Sequence, residues 1–372
     1  MSKTPHPKIN VGVIFGGRSG EHEVSLRSAR SVIEALDKTK YKVHPIGITK
    51  SGHWLAGESL KALSAPDESV VEQSDRNAAI ILPPTPSNGE LVSDSGPSLS
   101  KVDVILPVLH GTFGEDGTIQ GLLELADIPY VGSGVVGSAV GMDKAIFKQV
   151  MAANHLAILP WELIQSSKVR ADAEGVAHYL ETQLFYPMFV KPANLGSSVG
   201  ITKCSNHAEL IAGLHEASRF DRRLVVEQGA NIRELEISVL GNDNPIASIV
   251  GEIRPKRDFY DYDAKYITDD SELLIPAPLD EALANQAREM AIAVFKAVDA
   301  AGLSRVDLML DRESGDLYVN EINTMPGFTS ISMYPKLWEA TGISYPDLLD
   351  RLITLALERH AEKQDLVRDF TQ

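Results

Sequence analysis

Apolar residues follow two patterns along the chain: short unbroken runs in the first third, and alternation with polar residues towards the end. The run INVGVIF at 9–15 has the length and continuity of a strand covered on both faces. The glycine turn after it leads into a segment where Leu26, Ala29, Ile33 and Leu36 recur at spacings of three and four, one face of a helix. Further runs, YKVHPIGIT at 41–49 and VDVILPVLH at 102–110, predict more strands, and the alternation of strand with helix predicts a parallel sheet. The segment GVIFGGRSGE lacks the order Gly-x-Gly-x-x-Gly, which speaks against a dinucleotide site. Between these strands Ser64 to Ser100 is rich in Pro, Ser, Asp and Glu and reads as an irregular surface insertion.

Two loops leave the carboxyl ends of these strands, where open α/β sheets place ligands. The first carries Glu21, His22 and Glu23; the second, HGTFGEDGTIQG, carries His110, Glu115 and Asp116. A plainer role is open to each acid. Glu21 and Glu23 favour a helix N-terminus, and Asp116 can cap the helix that holds Leu122, Leu123 and Leu125.

The small-residue stretch SGVVGSAVGMDK at 133–144 reads as a domain boundary, after which Asp143 can cap a helix running from Lys144 toward Asn154. Beyond it PMFVK and GITK predict an antiparallel pair, with Lys191 ending the first strand and the glycine- and serine-rich tip at Leu195 to Val199. The tip is not a P-loop, because the chain resumes a strand where that motif opens a helix. A glycine-rich hairpin folded over phosphates, with lysines beneath it, is a second way to bind a nucleotide. Small side chains let backbone N–H groups reach phosphate oxygens.

In the last third, Leu283, Ala287, Met290, Val294, Ala297 and Ala301 mark a helical face with Gly302 as its stop. Two alternating strands follow around the turn RESGD. Period two puts Arg305, Asp307 and Met309 on one face of the first, and Val319, Glu321 and Asn323 on one face of the second. A hairpin centred near Ser314 sets Asp307 opposite Glu321 and Arg305 opposite Asn323. Oxygen side chains without His or Cys are the ligands Mg²⁺ takes when phosphates complete its shell. A cross-strand ion pair on a wet sheet face is the plainer alternative.

Composition narrows the class. A chain of 372 residues, 44% apolar, has room for about two or three domains. A net charge of -16 argues against nucleic acid or an anionic membrane as main partner. One cysteine, Cys204, excludes an internal disulfide framework and a Cys-rich zinc site. The apolar segment near the N-terminus is too short for a signal peptide or a membrane span, so the expected location is the cytoplasm.

Taken in order, EHEVS, HGTFGEDG, VKPANLGSSVG, YDYDAKY, SRVDLML and NEINTMPGFTSISM resemble the D-alanine–D-alanine ligase family of the ATP-grasp superfamily over nearly the whole chain. The insertion at 64–100 lies outside every block. The resemblance implies an α/β fold: an N-terminal parallel-sheet, Rossmann-like domain (1–140), then two ATP-grasp α+β domains (141–230 and 231–372). It implies that ATP phosphorylates one D-alanine and the amine of a second attacks the acyl phosphate, in service of peptidoglycan synthesis. Lys144, Lys191 and Lys265 would meet the phosphates, with Glu227, Ala230 and Glu236 around the adenine and ribose. Asp307, Glu321 and Asn323 match the ligands of two Mg²⁺ or Mn²⁺ ions. Arg305 and the N–H of Gly327 match the oxyanion donors; Glu21 would take the first ammonium, and His110, Ser332 and the N–H of Met333 belong to the substrate site. Ser197 and Tyr266 match the pair that ties the glycine loop and lid to Glu21. A homodimer is also implied. Two alternatives are a ligase using D-lactate and an inactive nucleotide-binding regulator. The lid DAKY keeps the Lys-Tyr pair that D-lactate enzymes replace, and a mere binder has no need of Arg305.

Overall fold

The computed structural model describes residues 7–56, 80–86, 89–93, 98–196, 199–255, 271–329 and 331–367. The first sheet is built on β1 (Ile9–Gly16), which runs parallel to β2 (Tyr41–Ile48); β3 (Trp54–Ala56) adds to the edge antiparallel. Strands β4 (Ile80–Ile81), β5 (Glu90–Ser93) and β6 (Ser98–Lys101) form a small antiparallel sheet, and β7 (Val104–Val108) pairs parallel with the other edge of β1. Within the stretch expected to be irregular, the described residues 80–81, 90–93 and 98–100 therefore lie in strands. Ile80, Leu82 and Leu91 are buried against Val102 and Ile105, in strands of two to four residues too short to show a period.

The second sheet comprises β8 (Trp161–Gln165), β9 (Met188–Pro192), β10 (Thr202–Cys204) and β11 (Arg223–Gln228), in the order β10-β9-β11-β8 with every pair antiparallel. One face, with Ile164, Val190, Leu224 and Val226, packs against the helices Ala173–Gln183 and His207–Ala217. Alternation turns Lys191, Val225 and Glu227 to the other face.

The third sheet holds β12 (Ile232–Gly241), β13 (Ile246–Pro255), β14 (Ser271–Leu274), β15 (Gly302–Asp311) and β16 (Leu317–Asn323), ordered β14-β13-β12-β15-β16. The helix Glu281–Ala297 covers one face through Ala287, Ala291, Val294 and Phe295. It ends before the expected Gly302 stop: Asp299 turns the chain at positive φ, and Gly302 already opens β15. The helix Lys144–Ala153, capped by Asp143 through Ile146 N at 3.0 Å, puts Phe147 and Met151 into this same core and Ala145 against Val225 of the second sheet. It thereby locks the two sheets together. The stretch before it, read as a boundary, is itself the helix Val135–Met142.

The C-terminal helix Tyr345–Gln364 returns to the first sheet, where Leu348, Leu349, Leu352 and Ile353 share a core with Val11, Val13, Val104 and Leu106. Each such side chain contributes roughly 1.5–3 kcal/mol when fully buried, enough to fix the N-terminal loops against the C-terminal sheet.

Candidate active site

The loop after β1 delivers Glu21 to the first position before the helix His22–Ala35, yet its side chain does not cap that helix. Its carboxylate points instead into the cleft: a Cβ on Gly111 would come within 2.6 Å of Glu21 Oε2, and one on Gly196 within 3.4 Å. Ser19–Glu21, Gly111–Thr112, Leu195–Gly196 and Val199 enclose a small cavity of about 50 Å³, so the glycine-rich tip reaches the N-terminal loops. Asp116 accepts from Thr118 N and Phe113 N within the turn, while Gly117 is the N-cap of the helix Thr118–Leu125, so Asp116 is not the expected N-cap.

His110 is buried and pinned from two sides, by Ser28 Oγ at 3.1 Å and by the carbonyl of Met325 at 3.0 Å. Burial lowers its affinity for a proton, which leaves it neutral near pH 7 despite Glu21. Burial and the charge of Glu21 push the neighbouring Glu115 up to about 8, with the N–H of Gly111 opposing. The loop thus places two uncharged groups, His110 and Glu115, beside Glu21.

The β15–β16 hairpin forms in the expected register, with Arg305 opposite Asn323 and Asp307 opposite Glu321. Arg305 donates to both oxygens of Asp307, Nε and Nη2 each at 2.6 Å, and lies 3.1 Å from Glu236 of β12. Asn323 Nδ2 donates to Asp307 Oδ2 at 3.0 Å. A register shift beside Asp307 departs from the simple alternation: Leu308 faces Val319 while Asp307 faces Glu321, so Asn320 is an extra residue. That bulge turns Val319 into the core, opposite to expectation, and lets Glu321 stay with Asp307.

Lys144 joins this hairpin to the glycine loop. Its Nζ donates to Leu195 O at 2.8 Å and stands 3.8 Å from Glu321 Oε2. One helical turn on, Lys148 is only 3% exposed at its side chain and pairs with Glu227, which Lys191 grips through its other oxygen. Burial alone would raise the Glu227 carboxyl, but the two ammonium groups hold it down at about 2. Lys148 escaped the sequence reading. Its spacing of four from Lys144 was visible, but its partner lies 79 residues away.

Glu236 sits with Arg305 rather than with Glu227, while Glu234 lies two residues nearer Ala230 on the same strand face. Gly327 lies against Ser332: a Cβ there would approach the Ser332 hydroxyl to 3.0 Å. Ser332 precedes the helix Met333–Thr341, and its Oγ accepts from Thr329 N at 3.1 Å. Met333 packs its side chain under the third sheet, which leaves its backbone for any ligand contact. Ser197, Lys265 and Tyr266 lie outside the described residues. A second cavity, of about 80 Å³ between Glu124 and Lys363, contains none of these groups.

Two antiparallel sheets, one bearing Lys191 and the other the acids of the hairpin, joined by the helix that carries Lys144 and Lys148 and by a glycine-rich hairpin, define an ATP-grasp fold. Family models of the D-ala D-ala ligase N-terminus and C-terminus match residues 10–133 and 150–354. The chain is 52% identical to a D-alanine–D-alanine ligase of Heliobacterium modesticaldum, over 96% of this chain and 97% of the relative. It is 49% identical to that of Natranaerobius thermophilus, over 98% and 99%. The solved D-alanine–D-alanine ligase of Coxiella burnetii superposes with a TM-score of 0.84 at 37% identity, covering 97% of each chain. The VanG D-Ala:D-Ser ligase of Enterococcus faecalis gives 0.81 at 35%, covering 94% of this chain and 100% of that one. The chain belongs to the D-alanine–D-alanine ligase family, whose members are ATP-dependent ligases.

Proposed function

We propose that this enzyme joins two D-alanine molecules at the expense of ATP, through an acyl phosphate, to supply the dipeptide of peptidoglycan precursors. The observation that carries the reading is the Arg305, Asp307, Glu321 and Asn323 patch with Lys144 linking it to the glycine loop. Lys144 and Lys191 hold the nucleotide phosphates, while Glu227 and Ala230 line the base side; Glu236, expected beside the ribose, instead pairs with Arg305 at 3.1 Å. Lys148 keeps Lys191 and Glu227 in place. Glu21 accepts the ammonium of the first D-alanine, and a carboxylate oxygen of that D-alanine attacks the γ-phosphorus as ADP leaves. The amine of the second D-alanine then attacks the carbonyl carbon and expels phosphate. Arg305 and Gly327 N–H stabilise the oxyanion; His110, Ser332 and Met333 N–H position the second substrate. Asp307, Glu321 and Asn323 offer a hard-oxygen set that fits two Mg²⁺ or Mn²⁺ ions, which would neutralise the transferring phosphoryl group. The family resemblance assigns Lys265 to the transferring phosphate and Tyr266 and Ser197 to closure of the site. We place the domain boundaries at 140 and 230, except that Tyr345–Gln364 packs with the N-terminal sheet.

A second reading takes D-serine as the attacking amine, because the VanG ligase shares the fold at 35% identity. Phosphate release from ATP with D-alanine, L-alanine, D-lactate or D-serine supplied singly, and with D-alanine and D-serine together, separates the readings. Release with D-alanine alone supports the proposal; release only in mixtures with D-serine favours the second.

A further inference from the structure

The helices behind the second sheet, on the face opposite Lys191 and Glu227, carry a cluster that the ligase reaction does not use. Glu174, His178 and Glu181 are spaced by four and three residues on the helix Ala173–Gln183 and so share one face. His207, the first residue of the helix His207–Ala217, meets them from the neighbouring element. One ligand atom each of Glu174, His178 and His207 lies within 4.8 Å of the other two.

The orientation of the rings is more specific than their proximity. Glu181 faces the Nδ1 atoms of both histidines, His207 at 3.1 Å and His178 at 3.4 Å, and is itself held by the Tyr186 hydroxyl at 2.7 Å. With both Nδ1 positions turned to one carboxylate, both Nε2 atoms turn to the other: Glu174 Oε1 is 2.9 Å from His207 Nε2 and 3.5 Å from His178 Nε2. With Nδ1–H donated to Glu181, each Nε2 lone pair faces the Glu174 carboxylate, an arrangement relieved by a metal ion or by a proton on the ring. The two Nε2–Oε1 distances lie near the roughly 3.3 Å that separates ligands placed tetrahedrally about Zn²⁺ at 2.0–2.1 Å, whereas the three ligand atoms as a set span up to 4.8 Å and the two rings stand 4.8 Å apart, so the histidines must close in on the ion. A carboxylate on the far nitrogen is the usual support for a metal-bound histidine, since it fixes the tautomer and strengthens the donor.

We propose that Glu174, His178 and His207 form a surface site for Zn²⁺ or a similar borderline divalent ion, with Glu181 as the orienting carboxylate. Imidazole and carboxylate together suit such an ion better than Mg²⁺. Three protein ligands on an exposed face leave a further position open to water. The ion would clamp two helices of the central sheet, away from the catalytic hairpin.

The rival occupant is a proton, since hydrogen bonds to Glu174 and Glu181 already raise the proton affinity of His207. The two are separated by calorimetric titration of the chelator-treated full chain with zinc chloride, in Mg²⁺ excess so that the hairpin is occupied. The site predicts one saturable Zn²⁺ equivalent in the native protein, lost in His178→Ala and in His207→Ala and weakened roughly 10- to 100-fold in Glu181→Gln. It also predicts that Zn²⁺ raises the melting temperature of the native protein, less that of Glu181→Gln and not that of either histidine variant, while Mg²⁺-dependent ligation is the same in all. No saturable uptake by the native protein, or equal uptake by the histidine variants, overturns the assignment in favour of an imidazolium–carboxylate cluster.

Discussion

Asp307 lies directly across from Glu321 in the β15–β16 hairpin, held there by a bulge at Asn320 that keeps the two acids on one face. Two carboxylates so placed repel each other unless cations separate them, and Arg305 and Lys144 partly answer that need. Phosphate-bound divalent ions would complete it. Glu321→Gln is therefore expected to lower turnover by at least about a thousandfold, the factor that corresponds to roughly 4 kcal/mol of lost charge stabilisation. The glutamate side chain is 28% exposed, so the melting temperature should move by only a few degrees. A variant with near-native turnover at limiting Mg²⁺ contradicts the assignment.

Arg305→Lys keeps the charge and loses the fork that binds both oxygens of Asp307. The oxyanion donor should fail with it. Ligation is expected to slow by about 100-fold or more while ATP affinity changes less than about threefold. Steady-state kinetics with separate nucleotide-binding measurements decide; equal losses in both would make Arg305 a nucleotide-binding residue.

Glu227 provides the pH dependence. Its carboxyl is held at about 2 against an ordinary 4.5, so its ion pairs contribute stability that is present above pH 4.5 and lost as pH falls through 2. The shift corresponds to about 3 kcal/mol. Glu227→Gln should destabilise the protein at pH 7, because Lys148 and Lys191 then face each other without an anion, and the difference from the native protein should narrow by about 3 kcal/mol between pH 5 and 2. Denaturant unfolding at a series of pH values measures this. A difference independent of pH would remove Glu227 as the anchor of the two lysines.

What the sequence disclosed, and what it hid, follows from the range of the interactions. The pairing of Asp307 with Glu321 followed from a hairpin centred near Ser314, although the turn end pairs Leu310 with Leu317 and only the bulge at Asn320 restores that register at Asp307. Val319 was misplaced because a bulge leaves no mark in an alternating pattern. Lys148 was missed because a lysine on a helix looks solvated until the strand carrying Glu227 is packed against it. The small sheet at 80–101 was read as irregular because its strands are too short to show a period. The return of Tyr345–Gln364 to the N-terminal sheet joins the two ends of the chain, and no local pattern reports such a contact.

The segment Asp258–Asp270 carries Tyr266, which the family resemblance docks toward Ser197 and Glu21. An acyl phosphate is destroyed by water, so closure must outlast the first chemical step. Tyr266→Ala is expected to raise the phosphate released per dipeptide above one at saturating D-alanine. A ratio that stays at one would take Tyr266 out of the closure.

The central claim is the acyl phosphate, and the fate of one oxygen atom tests it. If the D-alanine carboxylate attacks the γ-phosphorus and the amine then displaces phosphate from the carbonyl, a substrate oxygen leaves with the phosphate. With D-alanine labelled in both carboxylate oxygens by oxygen-18 and unlabelled ATP in unlabelled water, mass spectrometry of the phosphate should find one labelled oxygen for each dipeptide formed. Phosphate without label, alongside dipeptide, would mean that ATP is cleaved by water and the ligation proceeds by another route.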